Sequence, residues 1–183
     1  DPERAFIESR DMFFLASVDA EGIPTVSYKG GTPGFVRALD ARTLAFPLYD
    51  GNGMFLSAGN MQATGKVGLL FVDFETPHRL RVQGTASLHT DAETLARFIG
   101  ADLVAKVAIE AIFVNCSRYI HKHQRLSASP YAPTGECTPP FAQWKRIDLV
   151  QDALPPRDDG RTAAAGGTIT MEEYQARLLA GEA

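Results

Sequence analysis

Between Arg79 and Leu88 the chain reads RLRVQGTASL, polar and apolar residues in strict alternation. Leu80, Val82, Gly84, Ala86 and Leu88 share one face, and Arg79, Arg81, Gln83, Thr85 and Ser87 share the other. Period two sustained this far specifies a strand with one buried and one wet face. Such a strand needs antiparallel neighbours and a layer over its apolar side. The flanking sequence supplies them. MFFLASV (Met12 to Val18) is a dense apolar run ending at the turn Asp19 to Gly22, and Thr25 to Tyr28 continues as its partner. Beyond the loop GGTPG, Phe35 to Leu39 and Thr43 to Phe46 form a hairpin around Asp40-Ala41-Arg42. VGLLFVDF (Val67 to Phe74) lacks charge before Asp73 and predicts a strand buried on both faces, and Lys106 to Cys116 predicts another. Six or seven short strands with hairpin connections and only small helices make a mainly β chain: an antiparallel barrel, closed or nearly so.

Helices are few. Residues 2–11 suit a short one, with Pro2 in the first turn. Thr90 to Glu93 fits a capping box ahead of Leu95, Phe98 and Ile99. Thr170 with Glu173 fits a second box, ahead of Met171, Tyr174, Leu178 and Leu179. Between them, Ser127 to Pro140 is proline-rich and Gln151 to Gly167 lacks apolar periodicity. The expected organisation is therefore a barrel domain over 1–126, a Pro/Gly-rich extension and linker over 127–167, and a docking helix over 168–183.

The net charge of −4 leaves no basic surplus for a nucleic-acid backbone. No apolar run approaches the ~18–20 residues of a membrane span, and the opening DPERAFIESRD is not a signal peptide. Cys116 and Cys137 have no metal-type spacing and read as structural thiols of a reduced, cytoplasmic protein. His121 and His123 lack a third ligand, so no metal site is expected.

One junction stands out. LAFPLYDGNGMFLSAGNM (Leu44 to Met61) passes from a strand end through a glycine-rich turn into a polar helix start. The free backbone N–H groups of a helix start suit an anion.

Taken in order, VSYKGGTPGFV, LAFPLYDGNGMFLSAGN, VGLLFVDFE and RLRVQGTA resemble the pyridoxamine 5'-phosphate oxidase-like, flavin-binding split barrels, and within them the predicted flavin-nucleotide-binding group. The resemblance spans about residues 10–122. It implies a six-stranded antiparallel split β-barrel with small flanking helices, here followed by a C-terminal extension, and a homodimer holding FMN at the subunit interface. It assigns Thr25, Val26, Ser27, Tyr28 and Lys29 to the strand along the flavin, with Lys29 on the phosphate or ring. Phe46 and Pro47 match the strand end lining the cofactor. Asn52, Gly53, Met54 and Ser57 belong to the turn and helix start. Arg79 stands where the family has a flavin-contacting glutamine, and Arg81 shares its face.

Two departures bear on activity. Leu56 and Ser57 replace an arginine and a lysine that reach the phosphate in the family's oxidases. The chain's end, TMEEYQARLLAGEA, lacks the segment that binds the substrate phosphate there, which argues against a true vitamin oxidase. No nucleophile or general-base arrangement is readable, so any chemistry is carried by flavin hydride or electron transfer to a small substrate. The competing readings are a non-catalytic flavin-nucleotide carrier, or a split barrel that binds deazaflavin or haem.

Overall fold

The computed structural model describes residues 1–135 and 139–182; Cys137 lies outside them. The chain divides into two compact units, Asp1–Thr138 and Pro139–Ala183.

The first unit is a single antiparallel sheet of seven strands: β1 (Met12–Val18), β2 (Pro24–Gly30), β3 (Arg37–Asp40), β4 (Thr43–Pro47), β5 (Lys66–Asp73), β6 (His78–His89) and β7 (Val104–Val114). They run β2-β1-β5-β6-β7-β4-β3. The resemblance implies six. The seventh is β3, a four-residue strand that reaches β4 across an irregularity between Ala38 and Asp40. The sheet curls around a core centred on Phe13, whose ring lies 5.0 Å from Phe46, 5.1 Å from Phe71 and 5.9 Å from Phe35. Phe13, Phe46 and Phe71 are fully buried, each contributing roughly 1.5–3 kcal/mol of burial.

The alternation read on β6 holds. Leu80, Val82, Gly84 and Ala86 are buried, while Arg81, Gln83, Thr85 and Ser87 are exposed. Its register on β7 shifts between Gln83 and Gly84. A Cβ at Gly84 would lie 2.2 Å from the Ala108 carbonyl oxygen, so only glycine fits this close approach. For β5 the expectation needs correction. Val67, Leu69 and Phe71 are buried, and so is Val72 on the outward side, but Gly68 and Leu70 on that side are only half-buried.

Among the described residues three helices accompany the sheet: α1 (Pro2–Glu8), α2 (Leu56–Thr64) and α3 (Ala92–Leu95). Asp91, not Thr90, caps α3, accepting from the Thr94 amide at 2.9 Å. Helix α2 packs against β1, β5 and β6. Its polar residues at helical spacing explain how it is fixed: Asn60 Nδ2 donates to Ser17 Oγ at 3.0 Å, both residues buried. Thr64 Oγ1 donates to the Val18 carbonyl at 2.7 Å. Cys116 is exposed, which corrects its reading as a structural thiol.

The second unit holds 3-10 turns at Gln143–Arg146, Asp148–Ala153 and Pro156–Asp158, then α4 (Arg161–Ala164) and α5 (Met171–Ala180). Residues 151–167, expected as a linker, thus carry local structure organised by charge. Asp158, 2% exposed, pairs with Lys145 at 2.7 Å and Arg161 at 3.2 Å. The Arg146 guanidinium donates to the carbonyls of Gly166 and Gly167. Such contacts leave no apolar period for sequence inspection to find. The Thr170–Glu173 capping box of α5 is present with both hydrogen bonds. Among the described residues no helix is long and apolar enough to cross a membrane.

Candidate functional site

The junction from β4 to α2 is where the fold makes a cavity. Asp50 Oδ1 accepts from the Gly53 amide at 3.0 Å, and Asn52 Oδ1 accepts from the Met54 amide at 3.1 Å. These side chains tighten the glycine-rich turn. Phe55 then adopts φ 49, the left-handed region, and is the one non-glycine residue to do so among those described. A bulky side chain there costs roughly 1–2 kcal/mol. Its ring packs on the core cluster, which holds it in place. No side chain caps α2, and the first helical bond runs from the Gly59 amide to the Phe55 carbonyl. The leading amides of Leu56, Ser57 and Ala58 therefore precede the helical ladder.

Those three residues line a cavity of about 350 Å³ whose opposite wall is β2. Along β2, Thr25, Ser27 and Lys29 are half-buried while Val26 and Tyr28 are exposed, the alternation of a strand with one face turned inward. Ser27 Oγ and Ser57 Oγ lie 3.1 Å apart across the cavity's base. Burial pushes the Lys29 ammonium's pKa down, and no carboxylate pairs with it among the described residues. An unpaired cation, two hydroxyls and three leading helix amides make an anion cradle. Pro47, Leu48, Tyr49 and Leu56 form the less polar wall. The Tyr49 hydroxyl donates to the Ile99 carbonyl at 3.3 Å, and burial raises its pKa.

Of the residues expected from sequence, the structure gathers Thr25, Val26, Ser27, Tyr28, Lys29, Pro47, Asn52 and Ser57 around this cavity. It does not bring the others there. Phe46 is fully buried in the core, since its side chain points inward from β4. Gly53 and Met54 lie in the turn outside the lining, with Met54 69% exposed. Arg79 and Arg81 sit on the outward face of β6. Arg81 lies in a cross-strand row, Tyr28–Phe14–Leu70–Arg81–Phe113, that spans five strands. Arg79, opposite Val72, has a buried Nε without a hydrogen-bond partner among the described residues. Tyr49 and Leu48, missed in the sequence, follow directly on Pro47; only the path of the chain beyond β4 turns them to the wall.

A second cavity, of about 430 Å³, shares Tyr28. Its guanidiniums are paired: Arg10 with Asp73 at 2.6 Å, and Arg125 with Asp11. The His123 ring packs edge-on against Phe74 at 5.3 Å. Among the described residues no group of His, Cys, Asp and Glu could hold a metal ion.

The donor set of the first cavity fits the phosphate end of a flavin nucleotide. Lys29, Ser27, Ser57, Asn52 and the leading α2 amides would hold that end, with Pro47 and Leu56 beside the flavin's less polar portion.

Similarity searches bear on the fold and family. Comparison with curated proteins finds no match. Among solved structures, a histidine-to-alanine variant of HupZ from Group A Streptococcus matches at TM-score 0.50 and 24% identity, covering 63% of this chain and 98% of its own. The haem storage protein HutZ of Vibrio cholerae matches at TM-score 0.47 and 20% identity, covering 62% and 93%. An FMN-binding protein of Syntrophomonas wolfei matches at 0.48 and 14%, covering 62% and 85%. The first of these shows the shared split-barrel fold. The family model for pyridoxamine 5'-phosphate oxidase matches residues 2–130, well over half the chain and the whole sheet. The chain is a member of the pyridoxamine 5'-phosphate oxidase family.

Proposed function

We propose that this protein binds FMN in the cavity between β2 and the start of α2, and that it works as a homodimeric oxidoreductase on a small molecule. The observation that carries the reading is Lys29: a half-buried ammonium without a salt-bridge partner among the described residues, beside the Ser27–Ser57 hydroxyl pair and the leading amides of α2. A desolvated cation left unpaired is costly unless a ligand neutralises it. When bound, the flavin supplies hydride or electron transfer. The chain's own part is to hold the phosphate end with Lys29, Ser27 and Ser57, and to keep water from the less polar wall with Leu48 and Pro47.

The homodimer is supported by the outward face. Val26 is 67% exposed and Tyr28 62%, and the row from Tyr28 to Phe113 carries aromatic and aliphatic side chains flanking Arg81. A second copy of the chain on this face would cover apolar surface and bring its Arg79 and Arg81 toward the flavin ring. The test is direct. Purified protein should take up FMN stoichiometrically, and anaerobic NAD(P)H or another donor should bleach it. Protein that binds no flavin overturns the reading; bound flavin that no donor reduces leaves a carrier in place of an enzyme.

A further inference from the structure

Among the described residues, Tyr28 is the single one that lines both the flavin cavity and the cavity of about 430 Å³ beside it. Its position is built into the fold. A Cβ at Gly30 would lie 2.7 Å from the Tyr28 ring and 3.1 Å from its hydroxyl oxygen, so the ring lies down along β2 over space that the glycine leaves open. Phe14, opposite it on β1, meets the ring edge-on at 6.2 Å. The Gly31 amide donates to the Asp11 carbonyl at 2.9 Å, which brings a wall of the second cavity up to this end of β2. Burial and the charge of Asp11 raise the pKa of the Tyr28 hydroxyl, against an opposing effect of Arg125. The group therefore keeps its proton across the neutral range. Met12, Pro33, Val72 and Phe74 give the second cavity an apolar side that suits a small organic guest.

We propose, resting on the flavin reading above, that Tyr28 is the proton donor to a substrate held in the second cavity, a small carbonyl compound with a conjugated carbon–carbon double bond. Such a compound takes hydride at its β-carbon from the reduced flavin, which a nicotinamide donor regenerates. The electrons of the double bond shift toward the carbonyl oxygen, and that oxygen takes the proton of Tyr28 as its charge forms. The enol returns to the ketone in water, and the phenolate regains a proton from solvent. One hydride and one proton have then passed to the substrate. The step needs an O–H group at the boundary between the two ligands, and Tyr28 is the residue at that boundary. A second copy over this face would shut water out of both cavities and leave Tyr28 at their junction.

Two measurements on the full chain test this. In the first, flavin-free protein is titrated with cyclohexenone and followed by infrared difference spectroscopy. The stretch of the bound carbonyl should fall in frequency as it accepts a hydrogen bond, and Tyr28→Phe should abolish that shift. In the second, FMN-loaded protein is reduced anaerobically and mixed with cyclohexenone or with ferricyanide, which takes electrons singly and no proton. The ratio of the two reoxidation rates cancels any change in flavin occupancy. It should fall about a hundredfold in Tyr28→Phe, the lower end of what a positioned general acid supplies. Gly30→Ala, which displaces the ring but keeps the hydroxyl, should lower the ratio in part. An unchanged ratio in Tyr28→Phe, whether both rates hold or fall together, overturns the inference and leaves the flavin reading standing. So does a carbonyl stretch that stays unshifted in the parent or still shifts in Tyr28→Phe, and so does a reduced parent that reacts with ferricyanide but never with the enone. Protein that takes up no FMN overturns the flavin reading and the inference with it.

Discussion

Ser27 Oγ lies 3.1 Å from Ser57 Oγ, a hydrogen bond between the middle of β2 and the first turn of α2. It joins the two walls of the cavity thirty positions apart in sequence. The same helix is tied to β1 one turn later by Asn60 and Ser17. The cavity therefore has a floor of side-chain hydrogen bonds, and its shape depends on polar residues that a purely apolar reading of α2 would discard.

Ser57→Ala should weaken FMN binding by about 1.5–3 kcal/mol, the worth of a hydrogen bond to a charged group. It should lower stability by only about 0.5–1.5 kcal/mol, the worth of a neutral one. Flavin titration and urea melts of the apoprotein separate the two. A stability loss with unchanged flavin affinity would place the hydroxyl in structure alone.

Lys29→Met should move binding and stability in opposite directions. Burial lowers the folded pKa of Lys29 below the ordinary lysine value of 10.5. Between the folded pKa and that value the unfolded chain holds the proton more tightly, so stability rises with pH across this window. Below it the cost of the buried charge is present in full. The variant should therefore melt at a higher temperature than the parent at neutral pH, and its advantage should shrink toward about pH 10. Its FMN affinity should fall about tenfold or more, as expected for a lost charged contact. A lower melting temperature at neutral pH would show that the ammonium already has a stabilising partner.

The strands were legible because each carries a local signal. Period two on β6, and the turn residues Asp19 to Gly22, survive without tertiary context. The cavity was half legible: the alternation along β2 and the glycine-rich turn mark its walls, but Phe46 and Pro47 looked equivalent at a strand end that sends one inward to Phe13 and the other to the cavity. Arg79 and Arg81 were correctly placed on one face, yet which cavity a face addresses is fixed by sheet curvature. The C-terminal unit was least legible, since Lys145, Asp158 and Arg161 meet through turns rather than a repeat.

Arg79→Ala should weaken FMN binding by about 1.5–3 kcal/mol if the second copy directs this guanidinium at the flavin. Because its Nε has no hydrogen-bond partner among the described residues, the same change costs about 0.5 kcal/mol of stability or less. Arg79→Lys should restore binding only in part, because an ammonium lacks the planar fork. Unchanged affinity in Arg79→Ala removes it from the site.

If the outward face is the homodimer seam proposed above, Leu70→Lys should convert that dimer to monomer at micromolar concentration. Leu70 sits between Phe14 and Arg81 in the outward row, half-buried in the single chain. An ammonium buried there by a second copy would be desolvated and would face the like charge of Arg81 directly across the strands. Light scattering reads the outcome, and a dimer that persists would show that the second copy sits elsewhere.

The Asn60–Ser17 pair gives a prediction about what holds the cavity open. Ser17 is 1% exposed and Asn60 4%, and their bond is 3.0 Å. Asn60→Ala leaves the Ser17 hydroxyl buried without that partner, which should cost about 1–3 kcal/mol. Ser17→Ala in the same chain should cost less on the Asn60→Ala background than on the parent, because the orphaned group is then gone. A double-mutant cycle by urea unfolding measures the difference, expected as a coupling of about 0.5–3 kcal/mol. Because α2 carries Ser57 and the leading amides, Asn60→Ala should also loosen flavin binding, although Asn60 itself does not line the cavity. Additive costs in the cycle would mean that the two side chains do not depend on each other, and that packing by Met61 and Ala58, with the Thr64–Val18 and Ser57–Ser27 bonds, fixes the helix on the sheet.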